Sequence, residues 1–133
     1  MEQDAVWVTD PGDQERGGCC ISMTLSDYGR VGQFILDGGK AAGQQVVPLW
    51  WIDQATTKQI DNGAAGGGYG NYWWLRPSGA YEAVDIIGQF ISTFRDEGLI
   101  VVVNSAWPAA TGRELSAVRA AMIAAVRAAA QGQ

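Results

Sequence analysis

The chain contains no histidine, and that absence narrows its chemistry more than any residue present. Without imidazole there is no Ser-His-Asp or Cys-His machinery, and zinc could be held only by cysteines and carboxylates. A hydrolytic reaction would have to take its base from Lys, Tyr or a carboxylate. No Ser is followed three residues later by Lys: Ser22, Ser26, Ser78, Ser92 and Ser105 all lack that partner. No Gly-x-Ser-x-Gly elbow exists either. The sequence offers no self-evident nucleophile.

Other groupings are weaker. Glu82 and Asp85 form an acid pair of the kind used in glycoside hydrolysis, but 14 acidic residues in a small domain make chance neighbours common. Gly66-Gly67-Gly68-Tyr69-Gly70 is not a phosphate loop, because no strand precedes it, no helix follows it and no Lys-Ser/Thr partner is present. It is expected to be a connection into the next strand. Cys19 and Cys20 are adjacent, so a disulfide between them would close almost no loop and could not staple a scaffold. They are expected to be small buried hydrophobes at the start of a helix. The six tryptophans could line a cleft for a sugar or aromatic ligand. Trp50-Trp51 and Trp73-Trp74 each put one ring on either face of their element, so at least one of each pair is expected in the core. No cofactor is implied.

The elements that must position these residues follow from periodicity. Residues 1–17 are acidic, carry Pro11 and Gly12, and form an irregular lead-in. Leu25, Tyr28, Val31 or Gly32, and Ile35 recur at three-to-four spacing and predict a helix from about Leu25 to Asp37, stopped by Gly38-Gly39. Pro48 suits a first helical turn and opens a short helix to about Thr57. Asp61–Gly70 is a glycine-rich loop. Tyr72–Leu75, Gly88–Phe94 and Leu99–Val103 read as strands, the second with Phe90 and Phe94 on one face and Gln89, Ile91 and Thr93 on the other. Arg95-Asp96-Glu97-Gly98 makes the last two an antiparallel hairpin. Thr111 and Glu114 match a capping box. Leu115, Val118, Met122 and Val126 then mark the covering face of an alanine-rich helix ending near Ala130. The result is one α+β unit: lead-in 1–17, helical segment 18–60, loop 61–70, and antiparallel strands with a closing helix over 71–133.

Hydrophobic residues make up 47% of the 133 residues and charged residues 17%, enough apolar side chain for a core and too little charge for disorder. The net charge is -5, from 9 basic and 14 acidic residues. A chain this acidic is repelled by phosphate backbones, so nucleic acid is not an expected partner. The longest aliphatic run, Leu99–Val103, is far short of the ~20 residues that span a bilayer, so no membrane span is expected. Met1-Glu2-Gln3-Asp4 lacks the apolar run of a signal peptide.

Several stretches in order resemble one family, the β-lactamase-related serine hydrolases, which include class C-like β-lactamases, penicillin-binding-protein-like esterases and 6-aminohexanoate-dimer hydrolases. Gly17-Gly18-Cys19-Cys20-Ile21-Ser22 with Met23–Arg30 resembles the glycine-led segment and helix after the family's Tyr-x-Asn region. Val46-Val47-Pro48 before Trp51-Ile52 resembles the next helix start. Tyr69-Gly70-Asn71-Tyr72-Trp73-Trp74 is similar to a strand leading toward the active-site edge. Gly88–Ile91, Leu99–Ser105 and the closing helix resemble the last two strands and final helix.

The resemblance implies the C-terminal part of a β-lactamase/transpeptidase-like fold, and an acyl-enzyme reaction on carboxylic esters or amides. The family's Ser-x-x-Lys motif is absent from this chain, and its Tyr-x-Asn motif belongs N-terminal to the stretches matched here, which implies inactivity alone. Its Lys-Thr-Gly-like stretch falls at Ala80-Tyr81-Glu82, so Tyr81 and Glu82 are implied substrate-binding residues and the Ala83 backbone an oxyanion-hole donor. Asp85 and Ile86 stand in a turn where relatives place glycine, and an acid there would oppose a developing oxyanion. Implied partners are a small ester or amide, and either a complementary N-terminal fragment or a second copy along the edge of Leu99–Ser105. The alternative is a non-catalytic binding or regulatory module on the same scaffold.

Overall fold

The computed structural model describes residues 1–63, 65–110 and 112–132. In chain order its elements are β1 (Val6–Trp7), β2 (Ile21–Ser22), α1 (Leu25–Leu36), β3 (Lys40–Ala41), β4 (Gln44–Gln45), α2 (Leu49–Ala55), β5 (Gly68–Tyr69), β6 (Trp74–Leu75), β7 (Tyr81–Val84), β8 (Phe90–Phe94), a 3-10 turn over Arg95–Glu97, β9 (Leu99–Val103) and α3 (Arg113–Gln131). The fold is α+β, as the sequence implies. Strands β5 to β9 form one antiparallel sheet in sequential order. Among the described residues, β9 is an edge strand with β8 as its neighbour.

The two-residue period of β8 and β9 sorts their side chains between two helices. Pairing sets Phe90 opposite Val103, Ser92 opposite Val101 and Phe94 opposite Leu99. This face joins Ala80 and Ile123 in the core under α3. Burying each phenylalanine from water is worth about 2 kcal/mol or more. The opposite face carries Ile91, Thr93, Ile100 and Val102 and lies under α1. There Gly32 brings the helix so close that a Cβ would stand 2.7 Å from Ile100 Cγ2 and 3.0 Å from Ile91 Cγ2.

Helix α1 begins at Thr24, whose hydroxyl accepts from the Asp27 N–H at 3.2 Å. It ends at Gly38 and Gly39, both in the left-handed region with φ of 68° and 81°. Pro48 caps α2. The stretch between these helices is a tight hairpin, β3–β4.

The lead-in 1–17, expected to be irregular, carries the two-residue strand β1. Val6 pairs with Ser22 and Trp7 with Ile21, and the Val8 N–H donates to the Cys20 carbonyl at 3.0 Å. The Asp10 carboxylate accepts from the N–H groups of Gly12 and Gln14 and forms the hairpin's tip. Periodicity could not reveal strands of two residues. Cys19 and Cys20 are exposed, sit before β2 and not at a helix start, and are joined to each other by a disulfide. Trp50 and Trp51 are both exposed, 64% and 40%, so neither belongs to the core. Helix α2 is a short surface helix that buries Ile52 and Ala55.

The packed face of α3 also differs from the apolar stripe. Val118 is 67% exposed and Ile123 only 8%. The covered positions are Leu115, Arg119, Ile123 and Arg127, four residues apart. Arg119 and Arg127 lay their guanidinium carbons 5.4 Å and 4.3 Å from the ring centres of Phe90 and Phe94. Their charged ends pair with Glu82 and Glu97. Arginine counts as polar in a pattern, yet its stem covers apolar surface while its head finds a partner. Thr111 of the expected capping box lies outside the described residues; Gly112 stands at the N-cap without a side-chain bond.

Candidate functional site

On the α1 side of the sheet, a cleft of about 450 Å³ opens between the β1–β2 hairpin, the first turn of α1 and strands β5 to β8. Trp7, Tyr28, Tyr69, Tyr72 and Trp74 wall it. The Tyr69 and Trp74 rings meet edge to face at 4.8 Å, a cross-strand pair set by the β5–β6 register. The Trp7 indole N–H is shared between the carbonyls of Arg16 at 3.1 Å and Cys19 at 3.2 Å. Cys19 and Cys20 line the same wall.

The floor is the end of β7 and the turn into β8. Ala83, Asp85, Gln89 and Ile91 all line the cleft. The turn is held from outside. Asp85 N–H donates to the Gln89 carbonyl at 2.9 Å and Trp107 N–H to the Ile87 carbonyl at 3.0 Å, while the Ser105 hydroxyl donates to the Gly88 carbonyl at 2.6 Å. Gly88 has φ of 91°, and a Cβ there would stand 2.5 Å from the Trp107 ring. No other residue fits that position. The Asp85 carboxylate accepts from the Ile86 N–H at 2.7 Å. Gln89 Oε1 is buried behind the cleft surface and has no hydrogen-bond partner among the described residues.

Tyr28 donates its phenol proton to the Ile21 carbonyl at 2.6 Å. Burial, and then the nearby Asp85 carboxylate, raise its pKa above the ordinary value of 10.0. At neutral pH it is a hydrogen-bond donor with its proton committed, and no base.

Of the residues singled out by the sequence, Ala83 lines the cleft. Tyr81 lies two residues before it on the same face of β7, with its ring edge-on to Trp73 at 5.5 Å and beneath Arg95 at 5.6 Å, so it sits further along the strand, outside the cleft lining. Glu82, expected beside them, is on the opposite face, because successive strand residues alternate. Its carboxylate is buried and accepts from Arg76, Arg119 at 3.1 Å and Ser92 Oγ at 2.7 Å. That satisfied network under α3 is structural. Sequence reasoning missed Tyr28 and Gln89 as cleft residues, and Trp7 and the cysteine pair as its wall. Tyr28 carried only a helix-face signal, Gln89 only a strand-face one, and Trp7 and the cysteines depend on a hairpin the sequence pattern did not reveal. Among the described residues, no group of three His, Cys, Asp or Glu could hold a metal ion, and no helix is long and apolar enough to cross a membrane.

No protein-family model matches the chain. Its sequence is 28% identical over 99 residues to the 6-aminohexanoate-dimer hydrolase of Paenarthrobacter ureafaciens, covering 66% of this chain and 25% of that protein. Its structure is similar to that of a Bacillus anthracis protein described as a candidate 6-aminohexanoate-dimer hydrolase, with a TM-score of 0.78 and 26% identity, over 96% of this chain and 34% of that one. The chain thus spans between a quarter and a third of the length of these two proteins.

Proposed function

We propose that this chain, which has the sequence and fold of part of a β-lactamase-related hydrolase, supplies one wall of an acyl-enzyme site for a small carboxylic ester or amide, and does not turn over substrate alone. The observation that carries this reading is the position of Ala83. It lies in the cleft floor, at the end of a central strand and next to the unpaired acceptor Gln89. By the register that puts the Asp85 N–H on the Gln89 carbonyl, the Ala83 N–H turns into the β7–β8 ladder toward Ile91, so Ala83 contributes its place in the cleft floor, and an oxyanion donor there would have to be a different backbone N–H. The aromatic wall excludes water from an apolar acyl or leaving group. Asp85 remains an unfavourable neighbour for a developing negative charge.

The nucleophile and its base come from Ser-x-x-Lys and Tyr-x-Asn segments on a complementary N-terminal fragment, since this sequence contains no Ser-x-x-Lys. The test is hydrolysis of p-nitrophenyl butyrate and nitrocefin, with intact-mass analysis after a fluorophosphonate probe. The chain alone should give no adduct and negligible rate; addition of the fragment carrying Ser-x-x-Lys should restore both. Turnover by the isolated chain above about 1 s⁻¹, an ordinary enzyme rate, would mean that a nucleophile of this chain had been overlooked. No gain on complementation would favour a non-catalytic binding module.

A further inference from the structure

We propose that the Cys19–Cys20 disulfide is a thiol-exchange site that sets the position of the cleft wall. The inference stands on the hairpin's geometry and does not depend on the hydrolase reading. Both residues are exposed, and both line the cleft. Their bond is therefore open to attack by a thiolate from solvent, and exposed disulfides are the labile ones.

The consequence of breaking it is written in the backbone. Cys20 has φ of 76°, in the left-handed region that non-glycine residues seldom occupy. The bond to its neighbour closes a small ring through the shared peptide, and that ring restricts both residues. Three contacts of the wall hang on this dipeptide. Val8 N–H donates to the Cys20 carbonyl at 3.0 Å, Cys19 N–H donates to the Arg16 carbonyl at 3.2 Å, and the Trp7 indole N–H reaches the Cys19 carbonyl at 3.2 Å. Once the ring opens, Cys20 can move to an ordinary φ. Its carbonyl then turns away from Val8, and Trp7 loses part of its anchorage in the wall.

The exchange balances with a small dithiol as reductant. One thiolate of the dithiol attacks a cysteine sulfur and breaks the S–S bond, leaving a mixed disulfide and one protein thiolate. The dithiol's second thiolate attacks its own sulfur in that mixed disulfide and expels the other cysteine. The dithiol leaves as a cyclic disulfide, and the cysteines take up protons as free thiols.

The experiment uses the whole chain, with and without dithiothreitol, followed by iodoacetamide and peptide mapping. Alkylation of Cys19 and Cys20 should require the reductant. Hydrogen exchange should then speed up on the order of tenfold at the Val8 amide, with β8 and β9 unchanged, and the Trp7 emission should shift toward that of exposed indole. A Trp7→Phe variant identifies that part of the signal. A Cys19→Ser/Cys20→Ser double variant should match the reduced chain and ignore dithiothreitol. Alkylation without reductant would overturn the proposal, and so would complete reduction that leaves Val8 exchange and Trp7 emission as they were. If the double variant lost protection in β8 as well, the pair would be a general structural element and not a local device.

Discussion

Arg119, on the last helix, donates to the Glu82 carboxylate on β7 across 3.1 Å, and the two side chains are only 14% and 4% exposed. Glu82 also accepts from Ser92 and Arg76. It therefore ties β7, β8 and the connection between β6 and β7 to the helix above. Removing one member of such a buried pair leaves the other charged and unpaired. Glu82→Ala should lower stability by about 3 kcal/mol, read as a shift in the urea midpoint at unchanged slope. A Glu82→Leu/Arg119→Met double variant should recover part of the loss. If Glu82→Ala were neutral, the network would not be formed in solution.

The rotation of α3 has its own test. Ile123→Ala opens a hole in the core beneath the helix and should cost about 3 kcal/mol. Val118→Ala changes an exposed side chain and should stay within about 0.5 kcal/mol. The reverse order in thermal or urea melts would restore the face expected from the apolar stripe.

Asp27 couples the start of the chain to pH. Its carboxylate is fully buried and accepts from Glu2 N–H at 2.8 Å, Gln3 N–H at 3.3 Å, Thr24 Oγ1 at 3.0 Å and Arg30 at 2.8 Å. Burial alone would raise its pKa, but these bonds together bring it down from 3.8 to about 2. A carboxylate with a lowered folded-state pKa stabilises above its unfolded value and loses that contribution as pH falls through the folded one. Attachment of residues 2 and 3 to α1 should therefore be intact above pH 4 and be lost as the pH falls toward 2. Amide exchange at Gln3 against pH measures it; Asp27→Asn should abolish the pH dependence in this window.

The open edge of β9 predicts association. Its outer N–H and C=O groups meet no strand among the described residues, and exposed edges of this composition template pairing with another chain. The exposed Val118, Met122 and Val126 lie on the neighbouring helix. Size-exclusion with light scattering over a dilution series should show a concentration-dependent species above monomer mass. A monomer at every concentration would rule this out. Val102→Asp, which puts an unpaired charge on the same strand, should destabilise the chain outright.

Legibility in the sequence followed the physics of each signal. The β8–β9 hairpin was readable because Phe90 and Phe94 share one face of their segment and Leu99–Val103 is a short, continuous β-branched run, with Gly98 at φ 60° closing the turn. Helix α1 was readable because its apolar spacing and its glycine stop are local. The face of α3 was not, since Arg119 and Arg127 act there as apolar cover, a role fixed by Phe90 and Phe94 far away in sequence. Tyr81 and Glu82 were grouped as neighbours along the chain, and the pleat separates them. Trp7 and Tyr28 converge only through pairing of Trp7 with Ile21, a contact between two-residue strands that no periodicity announces.

Gly32 has a bearing on the cleft that reaches past its own contacts. Tyr28 sits one turn earlier on the same side of α1, so the height at which the helix rides over Ile91 and Ile100 also fixes where that phenol hangs above the cleft floor. In mechanical terms the hydrogen at Gly32 is the clearance between two parts. With the gap to Ile100 already closed to 2.7 Å for a methyl, Gly32→Ala must tilt or lift the helix, and the aperture in front of Ala83 and Gln89 changes with it. A position that touches no ligand thus sets the gauge of the opening, and libraries meant to widen or narrow it should begin there.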